Sequence, residues 1–449
     1  MRILIIAEVY LPKVDGVVYR TMTLIRHLQS RGDEVLVICP SAHGRVDSPV
    51  PMKAFKSFPC PSYPEYRIGV PDAELGEAVD SFQPDIIHFL NPFAFGFQCH
   101  DWLISRRERR PLLFSFHTLY SEFVKQYAGM APMSRMLWWL TRSYHNQADC
   151  NLTVSSIMRD ELAAAGFDRV ELWPPAVDCE LFSPHRRDAS MRERLTDGHP
   201  AERVLLTVSR LAPEKNVGFL AEWMRRLPAD GRSGVRLAIV GDGPQRADLE
   251  RQFSGSRTRF LGYLRGAELA AAYASADAFV YASETETMGN VILEAMAAGL
   301  VVVAPRAGGI PSLVRDGVDG LLYTPRDPDD AARVLAPLLS DDAYRARLAT
   351  GARAAVEPWG WDRSVERVRE HYEQTIARFH ADGPAADGRN RLASVVVRAL
   401  VNLIRAASFV TRPRVRGKET PAVSPARPGE PILSSHRGLH GHRPESSGT

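Results

Sequence analysis

Two glutamates, Glu286 and Glu294, stand eight positions apart in Ser283-Glu284-Thr285-Glu286-Thr287-Met288-Gly289-Asn290-Val291-Ile292-Leu293-Glu294, and the helix-favouring run Leu293-Glu294-Ala295-Met296-Ala297-Ala298 follows. This spacing predicts that Glu286 sits in a loop opening a helix and that Glu294 lies about two turns inside it. The first amides of such a helix lack intrahelical partners and suit an anion. Carboxylates accept hydrogen bonds from hydroxyl-rich ligands, whereas a diphosphate needs amides and cations. Upstream, Ser209-Arg210-Leu211-Ala212-Pro213-Glu214-Lys215 sets two cations, Arg210 and Lys215, in a strand-to-helix loop. Acceptors, amides and cations together describe a site for a nucleotide sugar.

The elements that must position these residues follow from periodicity. Short apolar runs at Arg2–Ala7, Glu34–Cys39, Asp85–Phe89, Leu112–Phe116 and Asn151–Val154 alternate with helical patterns such as Tyr19–Ser30. A second series runs through Val204–Val208, Val235–Val240, Thr258–Leu261, Ala278–Tyr281 and Val301–Ala304. Strands alternating with helices predict an α/β fold with parallel sheets and right-handed crossovers. A chain of 449 residues, 45% of them hydrophobic, can bury more than one core. Two Rossmann-like domains facing across a cleft are therefore expected, over residues 1–182 and 200–356. Phe182-Ser183-Pro184-His185-Arg186-Arg187 and the polar residues after it have linker composition. Each block opens with a strand entering a loop at a sheet's carboxyl end, where such folds bind ligands. In the first block this is Leu11-Pro12-Lys13-Val14-Asp15-Gly16-Val17, where Gly16 either lets the backbone approach a ligand or makes an ordinary turn. In the second it is Val240-Gly241-Asp242-Gly243-Pro244, ahead of a helix over Gln245–Phe253.

Several function classes fall away. A formal charge of +3 is no nucleic-acid footprint. Neither glycine loop has the spacing of a dinucleotide fingerprint, which argues against a nicotinamide oxidoreductase. Cys39, Cys60, Cys99, Cys150 and Cys179 are scattered without metal-type spacing and read as buried thiols in a reducing compartment. Met1-Arg2-Ile3-Leu4-Ile5-Ile6 is too short for a signal peptide, and the sequon Asn151-Leu152-Thr153 falls in a strand-like run. Asp327-Pro328-Asp329-Asp330 reads as a loop entering a helix and is assigned no metal.

The ordered set Asp15-Gly16-Val17, His117-Thr118, Ser209–Asn216, Gly241-Asp242-Gly243-Pro244, Glu286–Glu294, Ala307-Gly308-Gly309-Ile310-Pro311 and Asp316–Leu322 resembles the retaining glycosyltransferases of family 4, which have the GT-B fold. The likeness covers roughly Arg2 to Arg378. It implies that Arg210 and Lys215 hold a donor diphosphate and stabilise the leaving group. It further implies that Glu294 accepts from ribose hydroxyls, and that Glu286 binds the transferred sugar with amides near Met288, Gly289 and Asn290. His117, ending an apolar run, is implied to contact the donor sugar, although a lone histidine there is more often a structural hydrogen bonder. Front-face transfer without metal or resident cofactor is the implied mechanism, the nucleotide sugar being a co-substrate. The chain looks most like the lipid-glycosylating branch that holds GDP-mannose-dependent alpha-mannosyltransferases and sulfoquinovosyl-diacylglycerol synthases. Local echoes are Ser57-Phe58-Pro59-Cys60-Pro61 and Phe116-His117-Thr118. One departure stands out. Where relatives carry Arg-Gly or Lys-Gly before Val-Asp, this chain has Trp173-Pro174-Pro175-Ala176-Val177-Asp178, so a cation is missing from that loop.

The expected activity is transfer of a hexose, mannose from GDP-mannose first, to a lipid or glycolipid at the cytoplasmic membrane face. A UDP-sugar donor, a soluble acceptor and an inactive donor-binding scaffold are the alternatives. Met130–Arg142 mixes Met133, Met136, Leu137, Trp138, Trp139 and Leu140 with Arg135 and Arg142, as either an interfacial or a core helix. Val356-Glu357-Pro358-Trp359-Gly360-Trp361-Asp362 leads into a helix over Arg363–Phe379, and in the family such a helix (357–380) crosses back onto the first domain. Residues 388–418 hold eight basic residues and no acids. There Arg391, Ser394, Arg398, Asn402, Arg405 and Ser408 form a polar stripe, with Leu392, Val396, Leu400, Leu403 and Val410 mainly opposite. An in-plane helix on an anionic leaflet or a helix docked on a partner fits this pattern. Residues 419–449, rich in Pro, Gly, Ser, Arg and His, have a disordered composition.

Overall fold

The computed structural model describes residues 1–12, 16–41, 46–60, 63–106, 109–118, 134–227, 234–385 and 390–410. Lys13, Val14, Asp15, Met130–Met133, Gly388, Arg389, Arg412, Arg414, Arg416, Lys418 and residues 419–449 lie outside them. The strands in chain order are β1 (Arg2–Ala7), β2 (Glu34–Pro40), β3 (Met52–Phe55), β4 (Ser57–Cys60), β5 (Tyr63–Gly69), β6 (Ile86–Leu90), β7 (Leu112–Phe116), β8 (Cys150–Thr153) and β9 (Val170–Leu172), followed by β10 (Arg203–Val208), β11 (Val235–Val240), β12 (Thr258–Gly262), β13 (Ala278–Val280), β14 (Val301–Pro305) and β15 (Leu321–Tyr323).

Seven strands form one parallel sheet in the order β3-β2-β1-β6-β7-β8-β9, and six form a second in the order β12-β11-β10-β13-β14-β15. β4 and β5 make a separate antiparallel pair. Helices cover both faces of each sheet, so the strands read as unbroken apolar runs; Ile3 to Ala7 are fully buried. The strand order reverses between β1 and β6 in the first sheet and between β10 and β13 in the second. Crevices open at the carboxyl ends of the strands at such reversals. Every predicted site residue sits at or next to one of the two.

The C-terminal part of the chain returns to the first domain twice. The helix Trp361–Asp382 lays Val365, Val368 and Tyr372 on one face of the seven-stranded sheet. The helix Arg391–Val410 lays Ala393, Val397 and Val401 on the core beneath the other face, against the helix Ala94–Ile104. Glu8, at the end of β1, accepts from the amides of Phe93 (2.9 Å), Phe95 (2.9 Å) and Gly96 (2.8 Å) and so satisfies the exposed amides of that neighbouring helix. Burial pushes its pKa upward against these bonds.

Two of these expectations need correction, the linker and the place of Ser394. The stretch read as linker contains the helix Ala189–Thr196, capped by Asp188 and burying Met191 and Leu195 in the core of the second domain. Its mixed polar composition hid two apolar anchors one turn apart. Ser394 is not on an outward polar stripe. It is 1% exposed, and its hydroxyl donates to Asp101 Oδ1 at 2.7 Å, because the docked face of this helix is built from small residues. In the helix Ser134–His145, Leu137, Leu140 and Tyr144 are buried in the core, while Met136 is exposed. The sequon asparagine is buried, its amide donating to the His145 and Asp168 carbonyls. Asp327 accepts from the Asp329 and Asp330 amides, so the acidic run caps the helix Pro328–Ser340.

Candidate functional site

The helix carrying Glu294 begins at Asn290, so Glu294 lies one turn inside it, not two. Gly289 causes the late start: its φ of +92° is left-handed and no side chain caps the turn. Of the amides opening this eight-residue helix, that of Ile292 donates to the Gly289 carbonyl at 3.0 Å. Asn290 Oδ1 is buried without a hydrogen-bond partner among the described residues. From the first domain, Gly16 opens its own helix (Gly16–Ser30) so near that a Cβ on it would stand 2.8 Å from Asn290 Nδ2.

Lys215 and Glu286, from different loops, form an ion pair at 2.5 Å, and the Tyr281 hydroxyl donates to the same Glu286 oxygen at 2.8 Å. Burial works to raise the Glu286 pKa, but Lys215, with Ser283 and Tyr281, holds it below the usual carboxylate range. Glu286 is thus an ionised acceptor in a half-buried setting. Arg210 pairs with Glu214 at 2.5 Å, and Ser283 donates to the Glu214 carbonyl at 3.2 Å, tying the cation loop to the glutamate loop. Glu294 differs. Its Oε2 accepts from Tyr273 at 2.9 Å, and burial pushes its pKa up to about 7.

Two glycine-rich loops shape the floor. Gly241 has φ +133°, and a Cβ there would meet the Ser209 carbonyl oxygen at 1.8 Å. A Cβ on Gly309 would meet the Thr287 oxygen at 2.1 Å, while its amide donates to the Glu286 carbonyl at 2.7 Å. Only glycine allows these backbones to pack against one another.

His117 follows β7 and is 8% exposed. Its amide donates to Asn91 Oδ1 (3.1 Å), its Nε2 lies 3.0 Å from Ser115 Oγ, and its ring meets Trp173 edge-on at 5.2 Å. Burial pushes its pKa well below the ordinary histidine value, with the nearby Arg20 and His88 adding to the effect. Its carbonyl accepts from the Thr287 hydroxyl at 2.6 Å, across the cleft.

Sequence reasoning missed Arg20. It stands mid-helix, 2% exposed, between Trp173 (4.6 Å from ring centroid) and Trp361 (5.6 Å), donating to the Pro174 carbonyl at 2.5 Å and to Met288 Sδ at 3.2 Å. Among the described residues no carboxylate lies within ion-pair reach of it, and burial lowers its pKa to about 9. The Trp173–Asp178 loop that lacks a cation of its own therefore borrows one from the first helix. An arginine at a buried helical position gives no sign of this in sequence. Tyr273, inside the helix Gly266–Ala274, and Tyr281, just past β13, were missed for a similar reason, since aromatic residues in such places read as core.

The candidate site therefore joins an ionised acceptor, a second carboxylate near neutrality, two paired cations, one cation without a carboxylate partner among the described residues and a helix start with no side-chain cap around two topological switch points. Residues 14–181 match the family model described as Glycosyltransferase Family 4, and residues 202–341 match that described as Glycosyl transferases group 1. The chain is 34% identical over 387 residues to the sulfoquinovosyl transferase SQD2 of Arabidopsis thaliana, covering 83% of this chain and 74% of that one. It is 35% identical over 387 residues to a GDP-mannose-dependent alpha-mannosyltransferase of Mycolicibacterium smegmatis, covering 84% and 98% respectively. Among solved structures, Anabaena HepE in complex with UDP matches in fold with a TM-score of 0.66 at 21% identity, over 83% of this chain and all of that one.

Proposed function

Because the chain is a family 4 glycosyltransferase with the GT-B fold, we propose that it moves a hexose, mannose from GDP-mannose first, onto a lipid or glycolipid acceptor at the cytoplasmic membrane face, with retention of configuration. The observation that carries this reading is the convergence of Lys215, Glu286 and the uncapped helix start at Asn290. The donor's diphosphate takes Arg210 and Lys215, while the amides near Met288, Gly289 and Asn290 help Glu286 to hold the transferred sugar. Arg20, lacking a carboxylate, adds positive potential in the same cleft. Glu294 accepts from the ribose hydroxyls, and Glu286 from hydroxyls of the sugar. His117 and Gly16 close on the sugar from the first domain.

Charge develops on the departing phosphate oxygen, where Arg210 and Lys215 stabilise it. The acceptor hydroxyl attacks from the same face and passes its proton to that oxygen, so protein and donor supply positioning, electrostatics and exclusion of water. A sulfoquinovosyl donor is the second reading, motivated by the 34% identity to SQD2.

Lipid acceptors fit the outer face of the helix Arg391–Val410. Leu392 (63% exposed), Val395 (55%) and Leu403 (69%) face solvent, with Arg391, Arg398 and Arg405 exposed beside them. Apolar residues edged by arginines suit the interfacial zone of an anionic leaflet. Among the described residues, no helix is long and apolar enough to cross a membrane.

Thermal shift and nucleotide release with GDP-mannose, UDP-glucose and UDP-sulfoquinovose, in the presence of membrane lipids, test the reading. A response to GDP-mannose with release of GDP supports it. A response to another donor alone replaces the sugar, and no response to any of the three favours an unusual donor or the inactive scaffold.

A further inference from the structure

Four buried side chains run in a hydrogen-bonded line from the crossing helix to the cleft. Tyr372 Oη lies 2.7 Å from His88 Nδ1, His88 Nε2 lies 2.8 Å from Ser115 Oγ, and Ser115 Oγ lies 3.0 Å from His117 Nε2. Tyr372 and His88 are fully buried and Ser115 is 1% exposed.

Counting protons fixes the direction of this line. Ser115 offers one O–H to two imidazole nitrogens, and Tyr372 offers one O–H with only His88 in reach among the described residues. Suppose His117 Nε2 carries the proton. Then Ser115 must donate to His88 Nε2, His88 must donate from Nδ1 to Tyr372, and the Tyr372 hydrogen is left buried with no acceptor. If instead both histidines donate to Ser115, the serine hydrogen is orphaned. One arrangement leaves no hydroxyl hydrogen unpaired: Tyr372 donates to His88 Nδ1, His88 Nε2–H donates to Ser115, and Ser115 donates to His117 Nε2. An orphaned buried hydroxyl forfeits its hydration with nothing in return, which disfavours the other arrangements.

We propose that Tyr372, His88 and Ser115 act as a positioning relay that locks His117 in the Nδ1–H form, so that it meets the donor as a neutral hydrogen-bond donor and not as a base. Nδ1 has no protein partner among the described residues, which leaves that N–H for a ligand oxygen. Both imidazoles are neutral in this arrangement, in keeping with burial lowering His88 to about 3 and His117 well below its ordinary value. Since Nε2 is occupied and Nδ1 is protonated, His117 cannot take the proton of the acceptor hydroxyl. That proton then has the departing phosphate oxygen as its destination. The relay also makes the crossing helix part of the site, because Tyr372 arrives on it. This inference rests on the reading of His117 as a donor-sugar contact.

The test uses the full chain with 15N-labelled histidine, the His117 ring signals being identified by their loss in His117→Ala. Expected is a single tautomer with a protonated-type Nδ1 and an unprotonated Nε2. A proton on Nε2, or on both nitrogens, overturns the relay. Tyr372→Phe removes one oxygen without changing shape, and it should give His117 a mixture of tautomers; a tautomer unchanged in that variant overturns the proposal. In turnover with GDP-mannose, Tyr372→Phe and Ser115→Ala should each lower kcat about tenfold, the worth of one hydrogen bond, with donor KM little changed. Neither should lower it further in a His117→Ala background. Additive losses there would mark the residues as merely structural and sink the proposal. Because the tautomer is read without substrate, a protein that turns over no donor defeats the transferase reading while the relay is still judged by its spectrum.

Discussion

Thr287, from the second domain, donates its hydroxyl to the carbonyl of His117 in the first domain at 2.6 Å. The bond joins the loop of Glu286 to the end of β7, so the two halves of the site close on each other through adjacent residues. Thr287→Val keeps the shape and removes the donor. We expect each domain to stay folded, with melting little changed, while donor affinity falls about fivefold to tenfold, as one net hydrogen bond allows. Unchanged affinity in a donor titration would show that this contact does not govern closure.

Lys215 holds Glu286 ionised and, in the proposed function, also meets the donor's diphosphate. Lys215→Ala and Glu286→Ala should each lower turnover by about 10²–10³, the scale of losing one electrostatic stabiliser, with circular dichroism unchanged. Glu286→Gln keeps the size but loses the charge and should fall in the same range. Full activity in any of these folded variants would remove Lys215 and Glu286 from the site.

Glu294 gives a pH dependence whose sign follows from its raised pKa of about 7. In the empty protein it is mostly protonated below that value, whereas ribose hydroxyls need the ionised acceptor. Donor binding should weaken as pH drops from 8 to 6, by about tenfold at the lower end. Calorimetry at pH 6 in buffers of different ionisation enthalpy should register proton release on binding, and Glu294→Gln should abolish it. For stability the sign is opposite to that of a salt-bridged acid. Between the ordinary carboxylate range and about 7 the unfolded chain loses the proton first, so this group's contribution declines as pH rises through that window.

In the helix Arg391–Val410, one face packs on the first domain and the opposite face carries the proposed membrane contact. Leu392→Glu with Leu403→Glu changes only exposed positions and should leave the melting temperature nearly unchanged while abolishing sedimentation with anionic vesicles. Val397→Asp, on the docked face, should instead destabilise by several kcal/mol, about 3–5, through a buried unpaired charge. Vesicle binding undiminished in the double variant would leave the membrane role to another surface.

Much of this protein was legible before folding. Ten strands declared themselves because a parallel sheet covered on both faces demands continuous apolar runs, and these are local in the chain. Glu286, Glu294, Arg210 and Lys215 were legible because loops at strand ends and a glycine before a helix mark where ligands meet backbone. Gly289 then moved the helix start by one turn, through a backbone torsion that residue spacing does not specify.

What sequence could not give was pairing at a distance. Glu286 is held ionised by Lys215, 71 positions away, while Glu294, eight positions along the chain, is driven toward neutrality by burial. Two like residues in one motif part company because each pKa answers to three-dimensional surroundings. Arg20 and the line from Tyr372 to His117 are of the same kind, since 284 positions separate Tyr372 from His88. The inward turn of Ser394 likewise depends on a helix docking against Asp101, 293 positions earlier. The sequence by itself determined the strands, the two-sheet architecture and which residues are proposed for a nucleotide sugar, because local periodicity and backbone chemistry suffice for those. Tertiary structure alone decided which carboxylate is charged, which cation is unpaired and how the histidine is held, because burial and long-range contacts set these.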